Sequence, residues 1–167
     1  MRGNIKYLVM DVDGTLTDGG LYIGPEGETM KCFSVKDGCG IRDIFMSAGG
    51  VPIIITGRQS DIVQRRCNEL GIDILRQGVR SKKAELEAIC ASNGNHLSCA
   101  AYIGDDLNDL ECMEAVKAAG GLVGCPADAC RQAVELADYV CSAKGGEGAV
   151  REFIEWLVDT GESCCAG

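Results

Sequence analysis

"LVMDVDGTLTDGG", residues 8–20, is the stretch on which the reading of this chain turns. An apolar run of strand length closes on two acids, Asp11 and Asp13, and small, turn-forming residues follow at once. Such a run, rich in Leu, Val and Met and bounded by Asp and Gly, reads as a strand buried on both faces. At the two-residue period of a strand, Asp11 and Asp13 project to the same side, towards whatever lies beyond the strand's end. Gly14 lets the backbone approach a ligand closely, and Thr15 and Thr17 offer hydroxyls. A strand running into an ordinary turn would also carry Asp and Gly. Two like charges at one strand end repel, however, so groups able to neutralise them must come from elsewhere in the sequence.

Outward from this stretch, short apolar runs at 5–10, 51–55, 72–75, 99–103, 120–124 and 138–141 alternate with helically spaced segments at 38–48, 59–70, 82–92, 107–119 and 127–136, and a last helix covers about 147–158. In 61–70, for example, Ile62, Val63, Arg66 and Leu70 fall on one side. Alternation of this kind predicts an α/β fold, a three-layer Rossmann-like parallel sheet with helices on both faces and ligands at the carboxyl ends of the strands. One segment breaks the pattern. Residues 19–35, "GGLYIGPEGETMKCFSV", place Gly-Pro-Glu-Gly between extended pieces at 21–23 and 29–35, which predicts a β-hairpin projecting just after the first strand. A two-stranded hairpin is marginal alone in water and is expected to pack on something, such as another subunit.

With 167 residues, 46% of them apolar and 25% charged, the chain is expected to form one domain over 1–160, followed by a flexible tail at 161–167. The net charge of −9 argues against nucleic acid as a partner while leaving room for a small anion held by a local positive site. No apolar stretch approaches the roughly 18 residues of a membrane span, and no signal-peptide pattern precedes residue 11, so the chain reads as cytoplasmic. Eleven cysteines are many and odd in number, but there is no C-x-x-C and only one histidine, His96, which reads as a solvated loop residue. Cys67, Cys90, Cys99, Cys112 and Cys141 fall within apolar segments, as small buried hydrophobes do in a reducing compartment, while the pair Cys164–Cys165 lies in the tail.

A second strand end repeats the design of the first. In "AYIGDDLNDL", residues 101–110, Asp105, Asp106 and Asp109 follow Gly104 at a helix start. Capping and the helix dipole favour acids there, yet three in five residues exceed what capping needs. Two strand ends crowded with carboxylates and offering only oxygen ligands point to a Mg²⁺ ion between them. Positive and donor groups are also present. "IIITGRQS", 53–60, brings Thr56, Gly57 and Arg58 to a helix start suited to an oxyanion, and "QGVRSKKAEL", 77–86, puts Lys82 and Lys83 where the dipole disfavours cations, so one of them is expected to have a specific partner. Lys83 reads as a solvated position.

Taken together, D-x-D-G-T at 11–15, T-G-R at 56–58, Lys82 and G-D-D-x-x-D at 104–109 resemble the four ordered motifs of the haloacid-dehalogenase-like phosphohydrolases. Across nearly the whole chain, "DVDGTLTDG", "VKDGCGIRD", "IIITGR", "YIGDDLND" and "GGEGAVREF" resemble the subfamily without a cap domain that contains 3-deoxy-D-manno-octulosonate 8-phosphate (KDO 8-phosphate) phosphatases and phosphatases of nine-carbon sialic-acid-like sugars. The resemblance implies Asp11 as nucleophile and Asp13 as general acid and base. It also implies Mg²⁺ held by Asp11, the Asp13 carbonyl and Asp105, with Asp109 behind these ligands and Asp106 a lesser helper. Thr56 and Lys82 would bind the phosphoryl group, with Gly57 beside them, and Arg58 and Arg66 the carboxylate of a sugar acid.

The subfamily works as a homotetramer in which the hairpin and a neighbour's C-terminal segment close the site. Nine-carbon relatives tend to carry Glu where Arg58 stands and Lys where Glu69 stands, which favours the eight-carbon substrate here. One departure is Glu147 in "GGEG", where the subfamily has a cation; Arg151 is close enough in sequence to substitute, and a solvated helix position is at least as favoured a reading of it. Two alternatives remain at this level: a nonulosonate 9-phosphate phosphatase and a non-catalytic oligomerisation module. Neither a P-loop nor a G-x-G-x-x-G motif occurs to favour a nucleotide-binding protein.

Overall fold

In the computed structural model, which describes residues 1–159, strand β1 (Tyr7–Met10) lies at the centre of a six-stranded parallel sheet. Its neighbours are β4 (Val51–Ile55) and β6 (Ala100–Ile103), with Met10 registered against both Ile54 and Ile103. Outside these run β5 (Ile74–Arg76) on one flank and β7 (Leu122–Cys125) and β8 (Tyr139–Val140) on the other, giving the order β5-β4-β1-β6-β7-β8. The order reverses between β1 and β6, and a sheet of this type opens its ligand crevice at such a switch point. Both acid-rich strand ends of the sequence meet there.

Alternation along the strands sorts the core into two layers. Leu8, Met10, Ile54, Ala101 and Ile103 face α2 (Asp61–Leu70), α6 (Ala149–Val158) and the helix that starts as α1 (Val35–Cys39) and continues in wider π-type turns over Gly40–Met46. Tyr7, Val9, Ile53, Ile55, Tyr102 and Val123 face α3 (Lys82–Ser92), α4 (Leu107–Ala118) and α5 (Arg131–Leu136). By the same parity Val12 joins the first layer and Asp11 turns towards α3 and α4. The first long helix begins earlier than its expected start at 38, because Ser34 caps it by accepting from the Lys36 N–H, and α5 is shorter than the expected 127–136.

The hairpin is present as β2 (Tyr22–Gly24), shifted by one residue from the expected 21–23, and β3 (Gly27–Met30), shorter than the expected 29–35, and it is tied back to the core by a bridge between Thr17 and Phe33. Among the described residues it is the only departure from strand–helix alternation, and no helix is long and apolar enough to cross a membrane. Cys67, Cys90, Cys112, Cys125 and Cys141 are buried and Cys99 partly so; the nine described cysteines are free thiols. Cys164, Cys165 and the expected tail lie outside the described residues.

Candidate active site

Asp11 follows β1 directly and is buried, its Oδ1 2.8 Å from Lys82 Nζ. Lys82 is the first residue of α3, which Ser81 caps, and its ammonium reaches through the protein to a second buried acid, Asp109 Oδ1, at 2.7 Å. The partner expected for a cation at a helix start is therefore a pair of carboxylates. Asp109, in the first turn of α4, also accepts from the Tyr102 hydroxyl at 2.7 Å and, through Oδ2, from the N–H groups of Asp105 and Asp106 at 3.0 and 3.2 Å. Asp106 serves as the N-cap of α4 in a capping box with Asp109, so capping explains Asp106 and one of the bonds Asp109 accepts, but neither Asp105 nor the contacts of Asp109 with Lys82 and Tyr102. Asp105 accepts from Thr15 Oγ1 at 2.8 Å. Gly14 makes this approach possible: at φ 97° a side chain would be strained, and a Cβ would come within 2.1 Å of Asp105 Oδ2.

Oxygens of Asp11, Asp105 and Asp109 lie within 4.8 Å of one another, close enough to hold one metal ion. Burial raises Asp11 to about 6, with Asp109 adding to the rise and Lys82 opposing it; burial likewise raises Asp105 to about 7 against the Thr15 hydrogen bond, helped by Asp11 and Asp109. Lys82 is itself raised: burial disfavours its charge, but Asp11 and Asp109 outweigh that. One ammonium among three carboxylates leaves a negative excess, and an all-oxygen donor set of this size fits Mg²⁺. Because Asp109 already receives Lys82, Tyr102 and two N–H groups, it is better placed to orient the others than to bind an ion directly.

Asp11, Asp13, Thr56, Gly57 and Arg58 share one cleft of about 200 Å³ with Asp106 and Asn108. Thr56 directly follows β4 and is buried. Arg58 lies 3.8 Å from Asp13 and 3.7 Å from Glu28 of the hairpin. Arg66 lies apart from this cleft: on α2 it pairs with Glu69 at 2.9 Å and lines a separate hollow of about 130 Å³ with Val35, Cys39 and Arg42. Arg151 points to Glu155 at 2.6 Å, so it does not replace the missing cation at Glu147, which is exposed. The "GGEG" loop has another place in the fold. Gly146 donates to the Thr15 carbonyl at 3.2 Å, and Gly145 packs so tightly that a Cβ would lie 1.9 Å from the Gly14 carbonyl oxygen. Lys83 is solvent-facing near Glu111, and exposed His96 accepts from the Ser98 N–H.

Three residues at the site escape sequence reasoning. Tyr102 had a faint signal, since a tyrosine in a fully buried strand needs a partner for its hydroxyl. Glu28 and Lys31 had none, because an acid and a base on a projecting hairpin look like ordinary solvated residues.

The chain is 43% identical over 155 residues to the 3-deoxy-D-manno-octulosonate 8-phosphate phosphatase KdsC of Escherichia coli K12, a match covering 93% of this chain and 80% of that protein. It belongs to the KDO 8-phosphate phosphatase family, within the haloacid-dehalogenase-like superfamily. No family model matches the chain. Among solved structures of the family, the Moraxella catarrhalis phosphatase in complex with magnesium, phosphate and KDO is 40% identical, with a TM-score of 0.86 covering 92% of this chain and 86% of that one. The cobalt-bound Haemophilus influenzae enzyme is 37% identical, with a TM-score of 0.85 over 92% and 87% of the two chains. The α/β sheet order and the projecting hairpin described above are thus the fold of this family.

Proposed function

We propose that this chain is a Mg²⁺-dependent phosphatase of 3-deoxy-D-manno-octulosonate 8-phosphate, working through an aspartyl-phosphate on Asp11. The observation that carries the reading is the buried Asp11–Lys82–Asp109–Asp105 cluster at the β1/β6 switch point, in a chain of this family. Asp11, Asp105 and the Asp13 carbonyl would hold the cation, which would supply the charge that lets an anionic nucleophile meet an anionic phosphate.

The residues do the rest. Lys82 holds Asp11 Oδ1 and leaves the other carboxylate oxygen for attack on phosphorus. Thr56, with Gly57 beside it in the cleft, suits phosphoryl oxygens. As the P–O bond to the sugar breaks, Asp13 gives its proton to the departing oxygen; it then takes a proton from the water that cleaves the aspartyl-phosphate, and inorganic phosphate leaves with Asp11 restored. Positioning and charge compensation are what phosphoryl transfer demands.

Arg58, in the cleft, supports recognition of the sugar acid's carboxylate. Arg66 can contribute only where its hollow faces the cleft of another copy, which fits a homotetramer closed by hairpins. Exposed Leu21, Ile23 and Met30 on the hairpin support such packing. We take residues 1–160 as one phosphatase domain without a cap, residing in the cytoplasm, where the many free thiols stay reduced.

Phosphate release with Mg²⁺ or EDTA from KDO 8-phosphate, nonulosonate 9-phosphates and hexose phosphates tests the reading. Metal-dependent preference for the eight-carbon acid is expected. A nine-carbon preference overturns the substrate assignment, and Mg²⁺ binding without turnover of any of them overturns the enzyme assignment.

A further inference from the structure

Lys31 sits just past β3, between exposed Met30 and exposed Cys32, yet its side chain is only 1% accessible. A lysine is almost never that buried unless its charge has partners. Here the partners are two carboxylates: Nζ donates to Asp13 Oδ1 and lies 3.0 Å from Glu28 Oε1. Glu28 in turn accepts from the hydroxyl of Ser60, the residue that caps α2. The chain of contacts Asp13–Lys31–Glu28–Ser60 therefore ties the carboxylate of Asp13, through the hairpin, to a helix start anchored in the core. Arg58 flanks the same chain, 3.8 Å from Asp13 Oδ2 and 3.7 Å from Glu28 Oε1.

We infer that Lys31 is a positioning residue for Asp13, held in place by Glu28, and that it turns Asp13 Oδ2 into the cleft as the oxygen that hands its proton to the leaving sugar. With Oδ1 engaged by Lys31, Oδ2 is the oxygen left facing Arg58 and the space in front of Asp11. The hairpin then contributes to the chemistry of its own chain as well as to a wall around the substrate. Asp13 follows the last residue of β1 by three positions and no strand ladder holds it, so a second anchor is what keeps its carboxylate from rotating away. The inference rests on the proposed role of Asp13.

Leaving-group dependence separates this role from a structural one, because a sugar alkoxide needs a proton as it departs and p-nitrophenolate does not. In Lys31→Met, kcat for KDO 8-phosphate should fall about 10- to 100-fold with KM changed less than about threefold, and the fall on p-nitrophenyl phosphate should be at least about tenfold smaller. Glu28→Gln should show the same imbalance to a lesser degree, and Lys31→Arg should recover part of the loss; circular dichroism checks that each variant is folded. Equal losses on both substrates, a rise in KM alone, or no loss would each overturn the inference. Asp13→Asn run alongside distinguishes the two levels. If it shows the imbalance and Lys31→Met does not, only the role of Lys31 falls; if Asp13→Asn shows none, the assignment of Asp13 itself falls.

Discussion

The switch-point cluster and the hairpin are both polar in the parts that matter, but they are held in opposite ways. At the switch point the central charges are enclosed by their own chain: Asp11, Lys82 and Asp109 are buried, their partners lie on β1, α3, β6 and α4, and the layers beneath are solid with Val9, Ile55, Leu86 and Met113. The hairpin has no layer beneath it. Leu21, Ile23 and Met30 are 53%, 62% and 55% exposed, and its hold on the rest of the molecule runs through the Thr17–Phe33 bridge and the Glu28 and Lys31 contacts. The acidic cluster is thus enclosed by the fold, whereas the hairpin keeps an uncovered apolar face.

The largest effect should come from the enclosed region. Asp11→Asn removes the proposed nucleophile and should lower phosphate release by at least about a thousandfold with folding preserved. Substantial turnover in a preparation free of contaminating phosphatase would break the assignment.

Next is Lys82→Met, which leaves buried carboxylates without their cation; a loss of about 3–5 kcal/mol in urea unfolding is expected. Added Mg²⁺ should recover part of it. A variant as stable as the parent would mean that the cluster is more hydrated than its burial indicates.

Asp37 sharpens the comparison at the junction between the regions. It sits behind the hairpin in α1, accepts from the Arg151 N–H at the start of α6, and its Oδ2 has no hydrogen-bond partner among the described residues. Burial lifts it from 3.8 to about 6, against the opposing α6 N–H groups. A folded-state value above the unfolded one means that its favourable contribution is complete below about pH 4 and is lost as the pH rises through 6. Asp37→Asn should therefore gain on the parent by up to roughly 3 kcal/mol between pH 4 and pH 7, read from denaturant midpoints. A constant difference across that range would show that the carboxylate is solvated.

The smallest effect on the single chain should come from Ile23→Asp at the exposed hairpin. Monomer stability should change by less than about 0.5 kcal/mol. If the chain assembles through the hairpin as proposed, sedimentation should show that assembly weakened, with turnover of the sugar phosphate reduced more than that of p-nitrophenyl phosphate. An unchanged assembly would place the subunit contact elsewhere.

Much of this was legible before any coordinates. The six-strand alternation, the two acidic strand ends and the need of Lys82 for a partner all follow from period, charge and helix-dipole arguments that act over a few residues, whereas Thr56–Arg58, expected at a helix start, lie in the loop before α2. What escaped depends on residues far apart in the chain. The Lys82 bridge to Asp109 spans 27 positions, Lys31 to Asp13 spans 18 around a turn, and the separation of Arg66 from Arg58 depends on how α2 is rotated against α1. Sequence could place "GGEG" near the site by resemblance, but only packing shows Gly145 seated against the Gly14 carbonyl.

By itself, the sequence determined the sheet, its order of chemistry and the family, because hydrophobic period and motif spacing are written locally and read without knowing what they touch. Tertiary structure alone decided which oxygen of Asp11 Lys82 holds, why Asp106 is a cap while Asp109 is a brace, and that a hairpin lysine reaches Asp13. These outcomes depend on burial and on distances of a few ångströms between segments that only folding brings together.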